Sequence, residues 1–241
     1  MRFCRDHLDR QPGGRQCWLT EGVEGGYSNR TFFQGLPERT DAVARVRKDA
    51  QFCAFLPPDQ RRGARKYGPA LPTPLESLRD PNLAWHSTEV FVAGQGRTLH
   101  DREGPLRCWP KVTQARPLRR IILKAAGYRL RKVSQLLYRE PAFLITTDQM
   151  TPAAELIAAY LARWEVEVNF RDEKTLLGVG QAQGRNAPAV ARAPAFLGAA
   201  HALLLRSSIR AFGDWRTEAL AHLPAWRRSE PARPAPRDLL R

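Results

Sequence analysis

The spacing of apolar positions predicts a run of short strands followed by helices. Cys17 to Val23 is an apolar-rich stretch of strand length, and it enters Glu24-Gly25-Gly26-Tyr27-Ser28-Asn29. Two glycines there permit a tight turn before a helix starting near Asn29. Asp41 to Val46, DAVARV, alternates as a second strand. From Trp85 to Asp148 the runs WHSTEVFVAG, CWPKVT, PLRRIILKAAGYRLRK and SQLLYREPAFLITTD are separated by turn residues and predict four or five strands, with PAFLITTD returning to the core sheet. At Thr151 the period changes. Ile157, Leu161, Trp164 and Val168 recur at offsets of four, seven and eleven, the stripe of a helix edge facing a core. Thr151 before Pro152 predicts the helix start, and Gly178 or Gly180 its stop. The Ala- and Leu-rich run from Ala187 to Phe212 predicts a second buried helix, broken or started at Pro194. Residues 1–15 lack periodicity and are expected to be frayed. The Pro- and Arg-rich end, WRRSEPARPAPRDLLR, is expected to be disordered.

Beside the apolar stripe of the Thr151 helix runs a polar one. Tyr160, Arg163, Glu167 and Lys174 fall within roughly a 60° wedge of a helix. One reading is a solvated flank, with Arg163 and Glu167 forming an i,i+4 pair contributing a few tenths of a kcal/mol. The other is a functional row.

Charge favours a polyanionic partner. The 241 residues carry 39 Lys plus Arg against 24 Asp plus Glu, a formal charge of +15, which suits DNA or RNA. Between Pro57 and Pro81 the chain reads as a loop, where Arg61, Arg62, Arg65 and Lys66 cluster around Gly63 ahead of Tyr67. Such a loop can contact a phosphate backbone or serve as a solvated linker. Arg119, Arg120, Lys124, Arg129, Arg131 and Lys132 surround the Ala125-Ala126-Gly127 turn and predict a basic hairpin end. Cys4, Cys17, Cys53 and Cys108 lack zinc-ligand spacing and read as reduced thiols. His201 reads as a core histidine. No apolar run approaches the ~20 residues of a membrane span, and the first residues form no apolar signal region. The expected location is the cytoplasm, with no membrane partner.

The spacing Tyr160, Arg163, Glu167, Lys174 resembles the Tyr-Arg-Glu-Lys signature of bacterial DDE transposases of the insertion-sequence-four type. The continuation RWEVEVNFRDEKTLLGVGQAQGRN is similar to that family's run beyond its catalytic glutamate, and the resemblance extends from about Trp18 to Phe212. It implies an α/β fold, a ribonuclease-H-like core of the retroviral-integrase superfamily with a β-rich insertion before the glutamate helix. Residues 16–56 and 141–213 would form the core, 57–140 the basic loop and insertion, and 214–241 the tail. The implied activity is metal-dependent DNA strand cleavage and transfer on transposon ends and target DNA. Such a protein is nucleoid-associated and works as a homodimer in a synaptic complex.

By the same resemblance Glu167 is a catalytic carboxylate and metal ligand of a two-metal site holding Mg²⁺ or Mn²⁺. Arg163, Lys174 and Tyr160 would contact the processed DNA. Trp164 is expected to pack in the core. The family's Asp-Gly-x-Tyr-x-Asn segment matches residues 24–29, placing Glu24 at its second catalytic and metal-binding aspartate. The longer side chain displaces the carboxylate where Mg²⁺ demands near-ideal geometry. Arg47-Lys48-Asp49 resembles the run after the family's next strand, which makes Asp49 a fallback ligand or a solvated residue. The first aspartate has no counterpart on a strand pattern: Asp6 and Asp9 sit in a polar segment. The core is therefore expected to be incomplete at its N-terminus, a truncated or inactive copy that does not cleave DNA. The alternatives are a non-catalytic basic nucleic-acid-binding protein and an unrelated RNA-binding or scaffold protein.

Overall fold

A computed structural model describes residues 2–212 apart from 62, 64, 65, 93, 94, 129–134, 136, 139, 182, 183 and 185. The chain divides into two compact units, residues 1–92 with 96–162, and residues 93–95 with 163–241.

The first unit is α/β. It begins with helix α1 (Arg2–Asp9), strand β1 (Leu19–Val23), helix α2 (Arg30–Gln34) and strand β2 (Thr40–Arg45). β1 and β2 run parallel, with Leu19 opposite Thr40 and Val23 opposite Ala44. Asn29 caps α2 by accepting from the Phe32 amide at 3.0 Å. Next come β3 (Phe52–Ala54), β4 (Ala70–Leu71), α3 (Pro74–Arg79), β5 (His86–Val92), β6 (Gln95–Glu103), β7 (Arg107–Trp109) and β8 (Gln114–Leu123). A two-stranded β9 (Gly127–Tyr128) and β10 (Leu137–Tyr138) precede β11 (Ala142–Thr146) and helix α4 (Ala153–Ala162). The nine-stranded mixed sheet has the order β1-β2-β11-β8-β7-β3-β4, with β6 also on β8 and β5 on β6. β11 is antiparallel to both β2 and β8, so PAFLITTD does return to the centre of the sheet.

Side-chain alternation along β8 and β11 builds a core on each face. Phe143, Ile145, Leu118 and Ile122 pack with Val23, Phe33 and Phe52 on one face. Leu144 and Ile121 pack with Val43 and with Leu156, Ile157 and Tyr160 of α4 on the other. β2 is covered on both sides, with Thr40 to Ala44 all buried.

Several expectations change. Residues 1–15 contain a helix, organised by Arg5 rather than by an apolar stripe. Arg5 is 3% exposed, and its guanidinium donates to Cys17 O at 2.8 Å, Gly14 O at 2.7 Å and Asp9 at 2.6 Å. The expected loop 57–81 contains β4 and α3. A capping box starts α3: Thr73 Oγ1 accepts from the Glu76 amide at 3.2 Å, and Glu76 Oε2 accepts from the Thr73 amide at 2.8 Å. Seven strands, β5 to β11, occupy the stretch expected to hold four or five.

The turn into α4 is closed by Asp148, whose Oδ1 accepts from the Met150 amide at 2.8 Å and the Thr151 amide at 2.9 Å. Burial alone would raise its pKa, but hydrogen bonds from Thr151 and Met150, with Arg119 nearby, outweigh it and hold the carboxyl below its usual range. A depressed carboxylate contributes stability that is present above the unfolded pKa and lost as pH falls through the folded one. Asp148→Asn is therefore expected to melt below the wild type at pH 7, with the gap closing once pH falls below about 4. Melting curves at a series of pH values check this; a gap that persists unchanged to pH 2 contradicts it.

The second unit holds α5 (Glu165–Leu176) and α6 (Ala187–Phe212). The single helix expected from Thr151 to Gly178 is two helices. At the start of α5 the bonding tightens to i→i+3, from the Val166 amide to Arg163 O at 3.2 Å and from the Glu167 amide to Trp164 O at 3.1 Å. α6 runs through Pro194 without a break. It is not a buried helix, since Val190, Phe196, Leu203 and Ile209 are more than half exposed. Contrary to the reading of the sequence, residues 187–211 are long and apolar enough by length and composition to cross a membrane. His201 is buried, with Nδ1 3.6 Å from Glu173 Oε1. Residues 214–241, expected to be disordered, lie outside the described residues.

Candidate nucleic-acid interface

Parallel strands bring their carboxyl ends to one side, and in open α/β sheets this is where ligand crevices form. Glu24 follows β1 directly, Arg45 ends β2, and Val46 to Asp49 follow it. Together with Glu140, Pro141 and Phe143 they line a cleft of about 430 Å³. Glu24 caps a 3₁₀ turn at Gly25–Tyr27, accepting from the Gly25 amide at 3.1 Å. Ser28 Oγ donates to Arg45 O at 2.6 Å and ties that turn to β2.

The cleft does not fit a divalent cation. Glu24, Asp49 and Glu140 are matched by Arg45, Arg47 and Lys48, so no concentrated negative field develops. Asp49 is engaged by Arg47, with contacts of 2.9 and 2.8 Å. The hydrogen bond from Arg47 holds the Asp49 carboxyl below its ordinary range, and the same bond raises Arg47. Asp9 is taken by Arg5 and Arg39. Asp41, at the start of β2, accepts from Thr147 Oγ1 at 2.6 Å and serves the core. Among the described residues no group of three or more His, Cys, Asp or Glu side chains could hold a metal ion. Glu24 belongs to the first unit and Glu167 to the second.

The polar row divides in the same way. Tyr160 is 6% exposed and packed in the α4 core, so its ring is not presented for stacking. Arg163 lies at the start of the second unit, half-buried; Glu167 and Lys174 are exposed on α5, seven positions apart and so on one face of that helix. Glu165 and Glu167 in its first turn and Lys174 in its last also suit the helix dipole. Trp164, expected in the core, is 59% exposed, because the apolar stripe it was assigned to ends with α4.

A second cleft, of about 300 Å³, is lined by Arg30, Lys66, Tyr67, Pro110, Lys111, Gln114 and Ala115. Three cations and a tyrosine face it, and among the described residues no carboxylate does. Arg30 opens α2. Lys111 stands on the β7–β8 turn, where the Val112 and Thr113 amides donate to Trp109 O at 2.9 and 2.8 Å. Gln114 adopts φ 54° as that turn closes. Of the basic loop, Lys66 joins this cleft. Arg61 does not: it donates to Leu56 O at 2.9 Å and Ala115 O at 3.4 Å and lies over the Phe55 ring, so it braces the loop. Arg62 and Arg65 lie outside the described residues.

The expected basic hairpin end also changes. Arg119 donates to Thr151 O at 2.6 Å and pairs with Glu103 at 3.1 Å, and Arg120 is buried. Both sit inside β8, while residues 129–134 lie outside the described residues. Arg30 and Lys111 escaped the reading of the sequence. Each is an isolated cation in its own segment, and only the packing of α2 beside the β7–β8 turn makes them neighbours.

The chain matches no protein-family model and no curated protein.

Proposed function

We propose that this is a nucleic-acid-binding protein of the DDE transposase type that engages DNA without cutting it. The observation that carries the binding reading is the cleft of Arg30, Lys66 and Lys111 around Tyr67, with no carboxylate among its described lining residues, on a chain of charge +15. Lysine and arginine here neutralise phosphates and release counterions. Tyr67 can stack on an unpaired base, an interaction of about 1–3 kcal/mol. The transposase reading rests on the resemblance around Glu167 and on the position of Glu24 at the carboxyl end of a parallel strand pair bridged by a helix. On this reading the sheet is an incomplete ribonuclease-H-like core, and the protein is cytoplasmic and nucleoid-associated.

Absence of cleavage follows from the site chemistry. Hydrolysis of a phosphodiester on two metals needs clustered carboxylates, and the Glu24 cleft is charge-balanced. The test is incubation of supercoiled plasmid bearing inverted-repeat ends with Mg²⁺ or Mn²⁺. No nicking above the metal-only control is expected, and none of the background is sensitive to Glu167→Gln. Robust nicking abolished by Glu167→Gln overturns the reading. A basic nucleic-acid-binding protein unrelated to transposases shares the cleft but predicts no preference for inverted-repeat duplexes.

A further inference from the structure

The four cysteines fall into two kinds. Cys4 and Cys17 are exposed near the start of the chain, whereas Cys53 is half-buried and Cys108 buried within the sheet. Cys53 lies on β3 and Cys108 on β7, and the antiparallel register sets them directly opposite one another. Residues opposed in this way project from the same face of a sheet. Their chain neighbours agree: the Phe52 and Trp109 rings meet on the other face, with centroids 5.4 Å apart and the Arg107 guanidinium 5.6 Å over Phe52.

The backbone spacing suits a covalent link. The Phe55 amide donates to Leu106 O at 3.2 Å, which marks that pair as hydrogen-bonded. Bonded and open pairs alternate along an antiparallel ladder, so Cys53 and Cys108, two positions back, form a bonded pair with Cα atoms about 5.5 Å apart. Disulfides span about 4.4–6.8 Å between Cα atoms, most often about 5.5–6 Å. The Cβ atoms of opposed residues need to close by only about 1 Å to reach disulfide distance. β3 is three residues long and its outer partner β4 two, so little ladder resists that shift.

The two thiols are unequal. Burial pushes the Cys108 thiol up, and the neighbouring Cys53 adds to the rise, against the pull of the Arg61 charge and a backbone hydrogen bond from Leu56. Cys108 is fully enclosed, and the thiolate rather than the thiol is the nucleophile. Of the pair, Cys53 therefore meets a reagent from solvent first.

We propose that Cys53 and Cys108 are an oxidisable dithiol site, which a small-molecule disulfide such as oxidised glutathione converts to a cross-strand disulfide. The Cys53 thiolate attacks one sulfur of the reagent, forms a mixed disulfide and expels one thiolate, which takes up the proton that Cys53 released. Cys108 then loses its proton and its Sγ attacks Cys53 Sγ, expelling the second thiol. Two protein thiols are oxidised by two electrons in all, and the reagent is reduced to two thiols. Where thiols are kept reduced, such a bond forms only under oxidant. It clamps β3, from which the segment carrying Lys66 departs, to β7, which leads into the turn carrying Lys111.

The full chain is incubated natively with oxidised glutathione, alkylated, digested and mapped by mass spectrometry. A peptide linking Cys53 to Cys108 is expected, from protein that runs as a monomer without reductant, and it should vanish after dithiothreitol. Cys108→Ser is expected to accumulate a Cys53–glutathione mixed disulfide that the wild type does not retain. Cys53→Ser should leave Cys108 unmodified. Recovery of Cys53 and Cys108 as free thiols while Cys4 and Cys17 react overturns the proposal, as does Cys53 linked to Cys4 or Cys17. A mixed disulfide on Cys53 retained as fully by the wild type as by Cys108→Ser also overturns it, and so does reaction of Cys108 in Cys53→Ser. If the variants do not fold, the wild-type map decides: the reversible Cys53–Cys108 link supports the site and its absence refutes it.

Discussion

Replacing Lys66 and Lys111 together by glutamate is expected to weaken binding to duplex DNA by at least about 10²-fold at 0.1 M salt. Hydrogen bonds to charged groups contribute about 1.5–3 kcal/mol each, and the change removes two of them while adding like-charge repulsion. Both side chains are exposed, so the melting temperature should hardly move. The slope of log affinity against log salt should fall by about 2, one unit for each phosphate that is no longer neutralised. Fluorescence anisotropy with a labelled duplex reads both quantities. Arg61→Ala is the informative control. Because Arg61 holds Leu56 O and Ala115 O, it should lower stability while leaving the salt slope nearly unchanged.

The second large effect concerns the sheet that holds both clefts. Leu144→Ala is expected to destabilise the protein by about 2–5 kcal/mol, the range for truncating a buried leucine. Leu144 is fully buried at the middle of β11, between β2 and β8, against Ile157 and Tyr160 of α4. The cavity cannot collapse easily, because its walls are strands held by ladders on both sides. For a unit of this size the melting temperature should drop by about 2–4 °C for each kcal/mol. A loss below about 1 kcal/mol in chemical denaturation would mean that the α4 face is not packed as described.

The elements whose signal is local were legible in the sequence. β1, β2, β11 and the start of α2 each carry their apolar alternation or cap within a few residues, and the structure has them at Leu19–Val23, Thr40–Arg45, Ala142–Thr146 and Arg30–Gln34. The Thr73-to-Glu76 capping box is just as local and announces α3, although it stands in a Pro-rich stretch that reads as loop. What the sequence did not carry were partnerships across long separations. Arg5 orders the first residues by reaching carbonyls at Gly14, Cys17 and Arg39, and no periodicity marks a residue that packs through its polar end. Arg120 reads as part of a basic hairpin end, yet it faces inward on β8.

The helical wheel through Tyr160, Arg163, Glu167 and Lys174 assumed an unbroken helix. The tightened turn at Arg163–Glu167 ends that assumption and leaves Glu167 and Lys174 sharing α5. Of the basic residues read as phosphate contacts in the loop, Lys66 faces a cleft and Arg61 faces the protein. Charge alone does not tell a solvent-facing cation from one that braces carbonyls.

The most direct measurement of the central claim is equilibrium binding of the wild-type chain to a labelled duplex across 50 to 300 mM salt, on the order of the range over which counterion release weakens protein–DNA complexes. Binding is expected to weaken along a straight line in log–log form, with a slope of about −2 to −3 from Arg30, Lys66 and Lys111. Affinity independent of salt, or a slope unchanged when Lys66 and Lys111 are replaced, would contradict it.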